Sequence, residues 1–496
     1  MSTICRTQRW PAWRLALGAA IAALLVLLAA GPAAAATISV TTPGDEFTAN
    51  GAACSLREAI WAANNDSAAQ APGCTAGSGL DTIEVPEGIY NLTRAGVNEN
   101  ADVTGDLNVT APVTIRHVGS GSTVVDAKGL DRVFHTTAAG GVTISDLVIQ
   151  GGSTAATATS GGGILNSGVL TVTGSTITGN SSGLHGGGIE TFGAAATLNL
   201  TDSTVAGNQS AGDGGGIDDS QGRVTLLNDT ISGNLADSDR NGTGDGGGIG
   251  VFSAGAVLTT QSTIDAGNSD SGGQSPDCTS QIVARLASLG QTLIGNTGGC
   301  SLVPGAGDVF GLSPKLGALD DNGGPTPTEA LLRGSPAIDK GANCAPADQR
   351  GVPRSLGGAC DIGAYELVRC KGRAANVIGT NSDDLLTGSA GTDVFLLLGG
   401  DDKAFGLGGN DVFCGGAGRD KEYGGSGRDV EYGDTGADHL VGGPGNDHLF
   451  GGGGKDSLFG DGGRDTLKGG RSRDLCNGGS GHRDSSSGCE LLKRLP

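Results

Sequence analysis

The sequence contains few aromatic residues and few positive charges. Phe, Trp and Tyr make up 3% of its 496 residues, and 31 Lys and Arg stand against 52 Asp and Glu. Together with 94 glycines, this shortage of aromatics argues against one large globular core and favours glycine-cornered solenoids with small aliphatic interiors. The net charge of −21 argues against nucleic acid and anionic membrane surfaces as partners and favours cations.

The sequence also lacks a recognisable catalytic motif. Its six histidines have no spacing typical of a catalytic or metal site: His117, His135, His185, His439, His448 and His482. We therefore predict no catalytic residue.

Residues 1–36 have the organisation of a secretory signal peptide. A basic start is followed by the apolar core LALGAAIAALLVLLAA and by small residues up to Ala36. No second long apolar run follows, so we expect no transmembrane anchor, and no cysteine follows the core as a lipoprotein would require. Removal of this segment takes away three arginines and no acids, which makes the net charge −24. We expect a secreted, extracellular protein, and association with the cell surface stays open.

Ten cysteines follow residue 36, and an exported chain predicts that they form disulfides. Connectivity does not follow from sequence alone. Nearness along the chain suggests Cys54–Cys74, Cys278–Cys300, Cys344–Cys360, Cys370–Cys414 and Cys476–Cys489.

A repeat of 25 to 32 residues occupies residues 161–268. Four GGG tripeptides each precede an isoleucine, namely Ile164, Ile189, Ile217 and Ile249. Between them, alternating β-branched runs each end in an asparagine, at Asn180, Asn208, Asn234 and Asn268. Such turns bury their apolar side only by stacking, and stacked asparagine amides would satisfy the main chain at a bend. The pattern predicts an all-β fold that begins with a right-handed parallel β-helix, over residues 81–310.

The segment CSLREAIWAANND, from Cys54 to Asp66, predicts a short amphipathic helix. Ser55 and Glu58 form a capping box, and a helix here is well placed to cover the open end of a solenoid. The segment resembles the CSLREA domain of secreted bacterial β-helix proteins, which implies a cap over residues 37–80 and no chemistry.

Residues 311–369 contain LSPKLGALDDNGGPTPTEALLRGSPAIDKGANC and DQRGVPRSLGGACDIGAYE. These runs resemble the choice-of-anchor Q segment, which in its family lies between a β-helix and a variable tail. We expect this segment to close the solenoid.

From Gly379 to Asn477 the sequence repeats every nine residues, eleven times. Position six is aspartate in every copy: Asp384, Asp393, Asp402, Asp411, Asp420, Asp429, Asp438, Asp447, Asp456, Asp465 and Asp474. Copies such as GGAGRD and GGPGND resemble the repeats-in-toxin (RTX) nonapeptide, which implies a calcium-binding parallel β-roll over residues 370–496, with these aspartates as ligands.

Two nonapeptides per turn would place each motif beside the second motif after it. Calcium takes six to eight oxygen ligands, which glycine-rich loop carbonyls and aspartates supply. Eleven motifs give at most nine such pairs, so we expect several calcium ions, at most about nine. Position eight should point into the roll, where Glu422 and Glu431 break the apolar pattern. Because a buried carboxylate is costly unless it is paired, they predict local irregularity in the middle of the roll.

These observations predict a secreted calcium-binding protein with a structural or adhesive role. The alternative is a calcium-dependent polysaccharide lyase, hydrolase or epimerase with its site at the acidic cluster Glu190, Asp218 and Asp219 on the β-helix. That cluster also suits a solvated polar face, and the Tyr–Gly–x–Asp–Pro–His motif of alginate C5-epimerases is absent. A third possibility is a cell-wall-bound passenger whose tail serves attachment alone. An extracellular polysaccharide and a cell-surface protein both stay open as partners beside calcium.

Overall fold

The computed structural model describes residues 35–48, 51–97, 101–280, 285–354, 358–480 and 484–493. Residues 1–34 of the predicted signal peptide lie outside the described residues. Strands make up 42% of the structure and helix 3%, which confirms the predicted all-β class. In the described part of the chain, no helix is long and apolar enough to cross a membrane.

The first architectural unit is a parallel β-helix built from three sheets. Its largest sheet has 17 strands: Thr37–Ser39, Asp81–Asn91, Val113–Asp126, Val142–Ser145, Val148–Gln150, Val169–Thr173, Thr176–Thr178, Thr197–Thr201, Thr204–Ala206, Arg223–Leu227, Thr230–Ser232, Val257–Gln261, Ile264–Asp265, Arg285–Gly290, Leu293–Ile294, Leu302–Val303 and Val309–Phe310. A second sheet has seven strands: Leu107–Val109, Phe134–Thr136, Ile164–Asn166, Ile189–Thr191, Ile217–Asp219, Ile249–Val251 and Cys278–Ser280. A third has four: Ser181–Ser182, Gln209–Ser210, Leu235–Ala236 and Ser269–Asp270.

The sequence repeats stack in register, as predicted. Ile189 pairs with Ile164 on one side and with Ile217 on the other, and all three side chains are buried in one apolar column. The asparagines also stack, because Asn180 Nδ2 donates to Asn208 Oδ1 at 2.9 Å and Asn208 Nδ2 donates to Asn234 Oδ1 at 3.0 Å. The β-helix therefore has its own aliphatic core and its own buried polar column.

The predicted helix spans Leu56–Asn65 and begins with the expected capping box between Ser55 and Glu58. Ile60 is fully buried in the core of the β-helix. Arg57 is also buried, and its Nε donates to Asp45 Oδ1 at 2.6 Å while its Nη2 donates to Gly105 O at 2.8 Å. The helix packs on the first turns of the solenoid, as a cap would.

Residues 311–354 and 358–369 lie along the side of the 17-stranded sheet. They form an antiparallel pair, Leu316–Asp320 and Thr328–Leu331. Gln349 reaches two neighbouring turns, since its Nε2 donates to Thr176 Oγ1 at 2.9 Å and its Oε1 accepts from Thr204 Oγ1 at 2.6 Å. Arg354 forms an ion pair of 2.7 Å with Asp202. Where a closure of the solenoid was expected, these contacts cross successive turns of the β-helix. We call the segment of residues 311–369 the strap.

The second unit is a parallel β-roll of two nine-stranded sheets, joined to the strap by the hairpin Arg369–Cys370 and Arg373–Ala374. One sheet contains Val377–Ile378, Val394–Leu396, Val412–Cys414, Ala417–Gly418, Val430–Tyr432, Thr435–Gly436, His448–Gly453, Thr466–Arg471 and Ser485–Ser487. The other contains Leu385–Thr387, Lys403–Phe405, Gly408–Gly409, Lys421–Tyr423, Ser426–Gly427, His439–Gly445, Ser457–Gly463, Leu475–Asn477 and Leu491–Lys493. Partner residues are 18 apart, for example Leu440 and Leu458, so two nonapeptides make one turn.

The predicted irregularity at Glu422 and Glu431 is wrong. Glu422 pairs with Ala404 and Leu440 in unbroken register, and Glu431 keeps the same spacing in the opposite sheet. Both side chains are fully buried, and burial raises the pKa of each carboxyl well above its usual range. Main-chain pairing every 18 residues sets the geometry here, and the polar side chains are accommodated inside it.

Within the described part of the chain, five disulfides form, and they are the five pairs that nearness along the chain suggests. Cys54–Cys74 links the start of the capping segment to the residues after its helix, and Cys278–Cys300 lies in the last turns of the β-helix. Cys344–Cys360 lies within the strap, and the remaining two, Cys370–Cys414 and Cys476–Cys489, lie near the two ends of the roll.

Candidate metal centre

The position-six aspartates form two regular rows along the roll, which we call the aspartate ladder. In nine of the eleven, the main-chain N–H donates to Oδ1 of the aspartate 18 residues later, at 2.8 to 3.0 Å. Nine such bonds occur among the described residues, with donors Asp384, Asp393, Asp402, Asp411, Asp420, Asp429, Asp438, Asp447 and Asp456. The structure thus places each aspartate one turn from the next in its row.

The second carboxylate oxygen, Oδ2, is buried and lacks a hydrogen-bond partner in nine of the eleven aspartates, as far as the described residues show. These nine are Asp402, Asp411, Asp420, Asp429, Asp438, Asp447, Asp456, Asp465 and Asp474. A buried carboxylate oxygen without a donor is costly, and a bound cation would remove that cost.

The first two motifs differ. Asp384 Oδ2 accepts from Thr380 N–H at 2.6 Å and from its hydroxyl at 2.9 Å, and Asp393 Oδ2 accepts from Ser389 in the same way. Position two carries a hydroxyl in these motifs, so the protein itself satisfies both oxygens. The sequence-predicted ligands therefore divide into nine with a free oxygen and two without.

Glycine at position one keeps space open beside eight of the nine free oxygens; in the motif of Asp402, position one is Leu397. A Cβ on Gly424 would lie 2.5 Å from Asp429 Oδ2 and 2.8 Å from Gly442 O of the next turn. At position four, Gly436 cannot carry a side chain, because it has φ +155° and its Cβ would lie 1.4 Å from Gly418 O. Carbonyl and carboxylate oxygens therefore face the same small spaces.

This oxygen-rich arrangement fits calcium. Calcium prefers carboxylate and carbonyl oxygens in flexible geometry, whereas zinc and copper sites use histidine and cysteine. Throughout the described segments, no three His, Cys, Asp or Glu side chains converge as a metal-binding group. Main-chain carbonyls of the glycine loops would therefore supply much of the coordination, with the ladder aspartates supplying the charge.

The electrostatics of the ladder also favour a cation. Burial raises the pKa of Asp438 and Asp447 to about 7 and that of Asp411, Asp420 and Asp465 to about 6. The main-chain N–H donors act in the opposite direction, and neighbouring aspartates add to the rise. A divalent ion would stabilise the charged form of these carboxyls.

Sequence reasoning missed two residues that extend the ladder. Asp465 N–H donates to Asp484 Oδ1 at 3.0 Å, and Asp474 N–H donates to Glu490 Oε2 at 2.8 Å. Asp484 Oδ2 is also buried without a partner among the described residues. The run GGSGHRD, which ends at Asp484, carries one extra residue before the aspartate and so falls out of the nine-residue phase. A search for aspartate every nine residues therefore misses Asp484, although the GGSG run before it marks a further motif.

The acidic cluster on the β-helix is split between two environments. Glu190 and Asp218 are register neighbours, and Ser220 Oγ lies 2.7 Å from Glu190 Oε1 and 2.9 Å from Asp218 Oδ2. Asp219 points the other way, where its Oδ1 accepts from Gly222 N–H at 2.6 Å. All three acids are buried to 1% exposure or less, so none lies on an open face.

Comparison with known proteins identifies the nonapeptides. A family model for the RTX calcium-binding nonapeptide repeat (4 copies) matches residues 374–403, 387–422, 398–431, 423–458, 432–467 and 450–483. No curated protein matches the chain. A solved structure described as ORF18 of Geobacillus virus E2 aligns with 12% identity and a TM-score of 0.21, over 97% of this chain and 62% of that one.

The matches cover the whole aspartate ladder from Asp384 to Asp474, including the nine aspartates with a free Oδ2. Residues 374–483 of this chain carry RTX calcium-binding nonapeptide repeats, which form a β-roll.

Proposed function

We propose that the protein is exported and serves a structural or adhesive role outside the cell, with calcium folding its C-terminal roll. The observation that carries this proposal is the set of nine buried Oδ2 atoms, along both rows of the ladder, that lack partners among the described residues. Several calcium ions, at most about nine, would bind along the aspartate ladder and bridge successive turns.

Without calcium the roll should be unstable. Stacking of turns brings like-charged carboxylates together in a buried setting, and the many glycines lose a large conformational entropy on ordering. Binding of calcium turns this repulsion into attraction, so the free energy of binding becomes free energy of folding. The two disulfides of the roll, at its ends, leave its middle to be ordered by the ions.

The β-helix should not need calcium. Its interior is a continuous column of buried aliphatic side chains, and the stacked asparagines satisfy its main chain at one bend. We therefore assign the two units different requirements for metal.

Export is supported by the five disulfides, which persist in oxidising compartments. The CSLREA-like cap and the choice-of-anchor-Q-like strap fit the same setting. An extracellular polysaccharide or a cell-surface protein is the partner class we propose for the adhesive role, and we propose no catalytic residue.

Hydrogen–deuterium exchange of the full mature chain tests the proposal. In calcium, peptides from residues 379–477 should exchange slowly, and in chelator they should exchange fast, while peptides from residues 161–268 stay protected in both. Magnesium should protect the roll less than calcium, because its small octahedral shell suits carbonyl-rich loops poorly. Equal protection of the roll in calcium and in chelator would contradict the proposal.

One observation favours a second function, that of a carbohydrate-active enzyme. An open groove of about 680 Å³ lies between the β-helix and the strap, and its lining includes His117, Asp146, Asp202 and Arg350. Such a groove can accept a chain of sugars beside carboxyl groups. Product analysis after incubation with acidic and neutral polysaccharides, in calcium, decides between the two functions. Any cleavage or epimerisation that Asp146→Asn abolishes would establish the enzyme.

A further inference from the structure

Glu422 and Glu431 stand at position eight, where the other motifs carry apolar side chains. Both are fully buried inside the roll. Glu422 lies between Ala404 and Leu440 in one sheet, and Glu431 lies between Phe413 and Leu449 in the other. Each carboxylate therefore lies in an otherwise apolar row.

Neither carboxylate is neutralised by the protein, as far as the described residues show. No ion pair reaches them, and both oxygens of Glu422 lack a hydrogen-bond partner. Glu431 Oε1 accepts from Gly424 N–H at 3.0 Å, while its Oε2 has no partner. Two carboxylates held in a core without a counter-charge call for a ligand.

Both carboxylates turn toward the aspartate ladder. The position that a Cβ on Gly415 would take lies 2.8 Å from each of three oxygens: Glu422 Oε1, Asp420 Oδ2 and Gly433 O. No two of these oxygens are therefore more than 5.6 Å apart (twice 2.8 Å). Oxygens on opposite sides of one calcium ion are separated by about twice the calcium–oxygen distance of roughly 2.3–2.6 Å.

The same convergence recurs in the next motif, on the opposite sheet. Beside Gly424, the corresponding distances are 2.8 Å to Glu431 Oε1, 2.5 Å to Asp429 Oδ2 and 2.8 Å to Gly442 O. An ordinary motif lacks the third oxygen. Beside Gly433, where position eight is Leu440, the near oxygens are Asp438 Oδ2 at 2.5 Å and Gly451 O at 2.9 Å.

We propose that Glu422 and Glu431 are calcium ligands, and that each joins the ladder aspartate two residues before it to make two central sites of higher negative charge. This inference rests on the proposed binding of calcium along the aspartate ladder. Calcium affinity rises with the number of charged ligands, so the two central sites bind first and most tightly. The departures from the nonapeptide pattern thus mark where ordering of the roll begins.

The test measures calcium binding to the full mature chain by calorimetry, with native mass spectrometry to count the ions. E422Q/E431Q should weaken the two tightest sites at least about tenfold. E422D/E431D keeps the charge but shortens the reach, and should weaken them similarly. D320N/D321N is the matched control, because it removes two exposed charges outside the roll and should leave these sites unchanged.

Amide exchange supplies the second measurement. In chelator the roll should be unstable in both proteins, so peptides from residues 379–477 should exchange equally fast in E422Q/E431Q and in the wild type. At limiting calcium these peptides should exchange faster in E422Q/E431Q than in the wild type, because the first ions no longer bind tightly. Circular dichroism in saturating calcium checks that each variant folds.

Wild-type affinities and ion number in E422Q/E431Q would overturn the assignment and leave both glutamates as protonated core residues. A wild-type chain that binds no calcium would instead refute the proposed function itself.

Discussion

The stacked asparagines of the β-helix allow a quantitative prediction. The Asn208 side chain accepts from Asn180 N–H at 3.1 Å and Asn180 Nδ2 at 2.9 Å, and it donates to Ile177 O at 2.9 Å and Asn234 Oδ1 at 3.0 Å. Asn208→Ala removes these four hydrogen bonds and leaves their partners buried. At about 1 kcal/mol for each bond, and more where a partner stays unsatisfied, the free energy of unfolding should fall by about 3–5 kcal/mol.

Urea unfolding followed by Trp61 fluorescence measures this change, because Trp61 is the only tryptophan after residue 36 and lies in the capping helix. Calcium is kept saturating so that the roll does not contribute. Asn199→Ala is the control, since Asn199 is exposed on the strand Thr197–Thr201 and its loss should change stability by less than about 0.5 kcal/mol. Equal effects of the two variants would refute the idea that the asparagine column stabilises the solenoid.

Three further predictions address the ladder, the β-helix and the end of the roll. Asp447→Asn should remove or weaken one calcium site in native mass spectrometry, whereas Asp384→Asn should leave the ion number unchanged because Thr380 already satisfies its oxygen. Burial raises the pKa of Asp218 to about 7. Its contribution to the free energy of unfolding is therefore full below pH ~4 and is lost as the pH rises toward 7. In urea unfolding, the free energy of unfolding of Asp218→Asn relative to that of the wild type should therefore be higher at pH 8 than at pH 4. Replacing Cys476 and Cys489 by serine opens a loop of 13 residues and should lower the stability of the last turn by about 3 kcal/mol. Faster amide exchange in Leu475–Asn477 would show this loss, and unchanged exchange would contradict the prediction.

Features that repeat in sequence were predictable, because equal chemistry at equal spacing requires equal positions in a stack. The GGG-Ile marks, the asparagines and the aspartates each align as their spacing indicates. The disulfide pairs also follow nearness along the chain.

Features without a period were not predictable. The strap has no repeat, and only the fold shows that Gln349 and Arg354 reach strands more than 140 residues earlier. One inserted residue hid Asp484. The pattern at position eight predicted local irregularity at Glu422, because sequence spacing does not reveal that the neighbouring Gly415 leaves room for its carboxylate to turn toward Asp420.

The two disulfides of the roll set how far it can extend. Cys370–Cys414 and Cys476–Cys489 each close a covalent loop, so a pulling force on the chain bypasses the residues inside them. Residues 415–475, which include Glu422 and Glu431, lie between the two loops, and under the proposed function they would be free to lengthen when calcium is withdrawn. At roughly 3.3–3.6 Å per residue, they span about 200 Å when fully extended, against about 5 Å for each folded turn. If calcium folds the roll as proposed, it would convert a flexible tether of fixed maximum length into a short rigid rod.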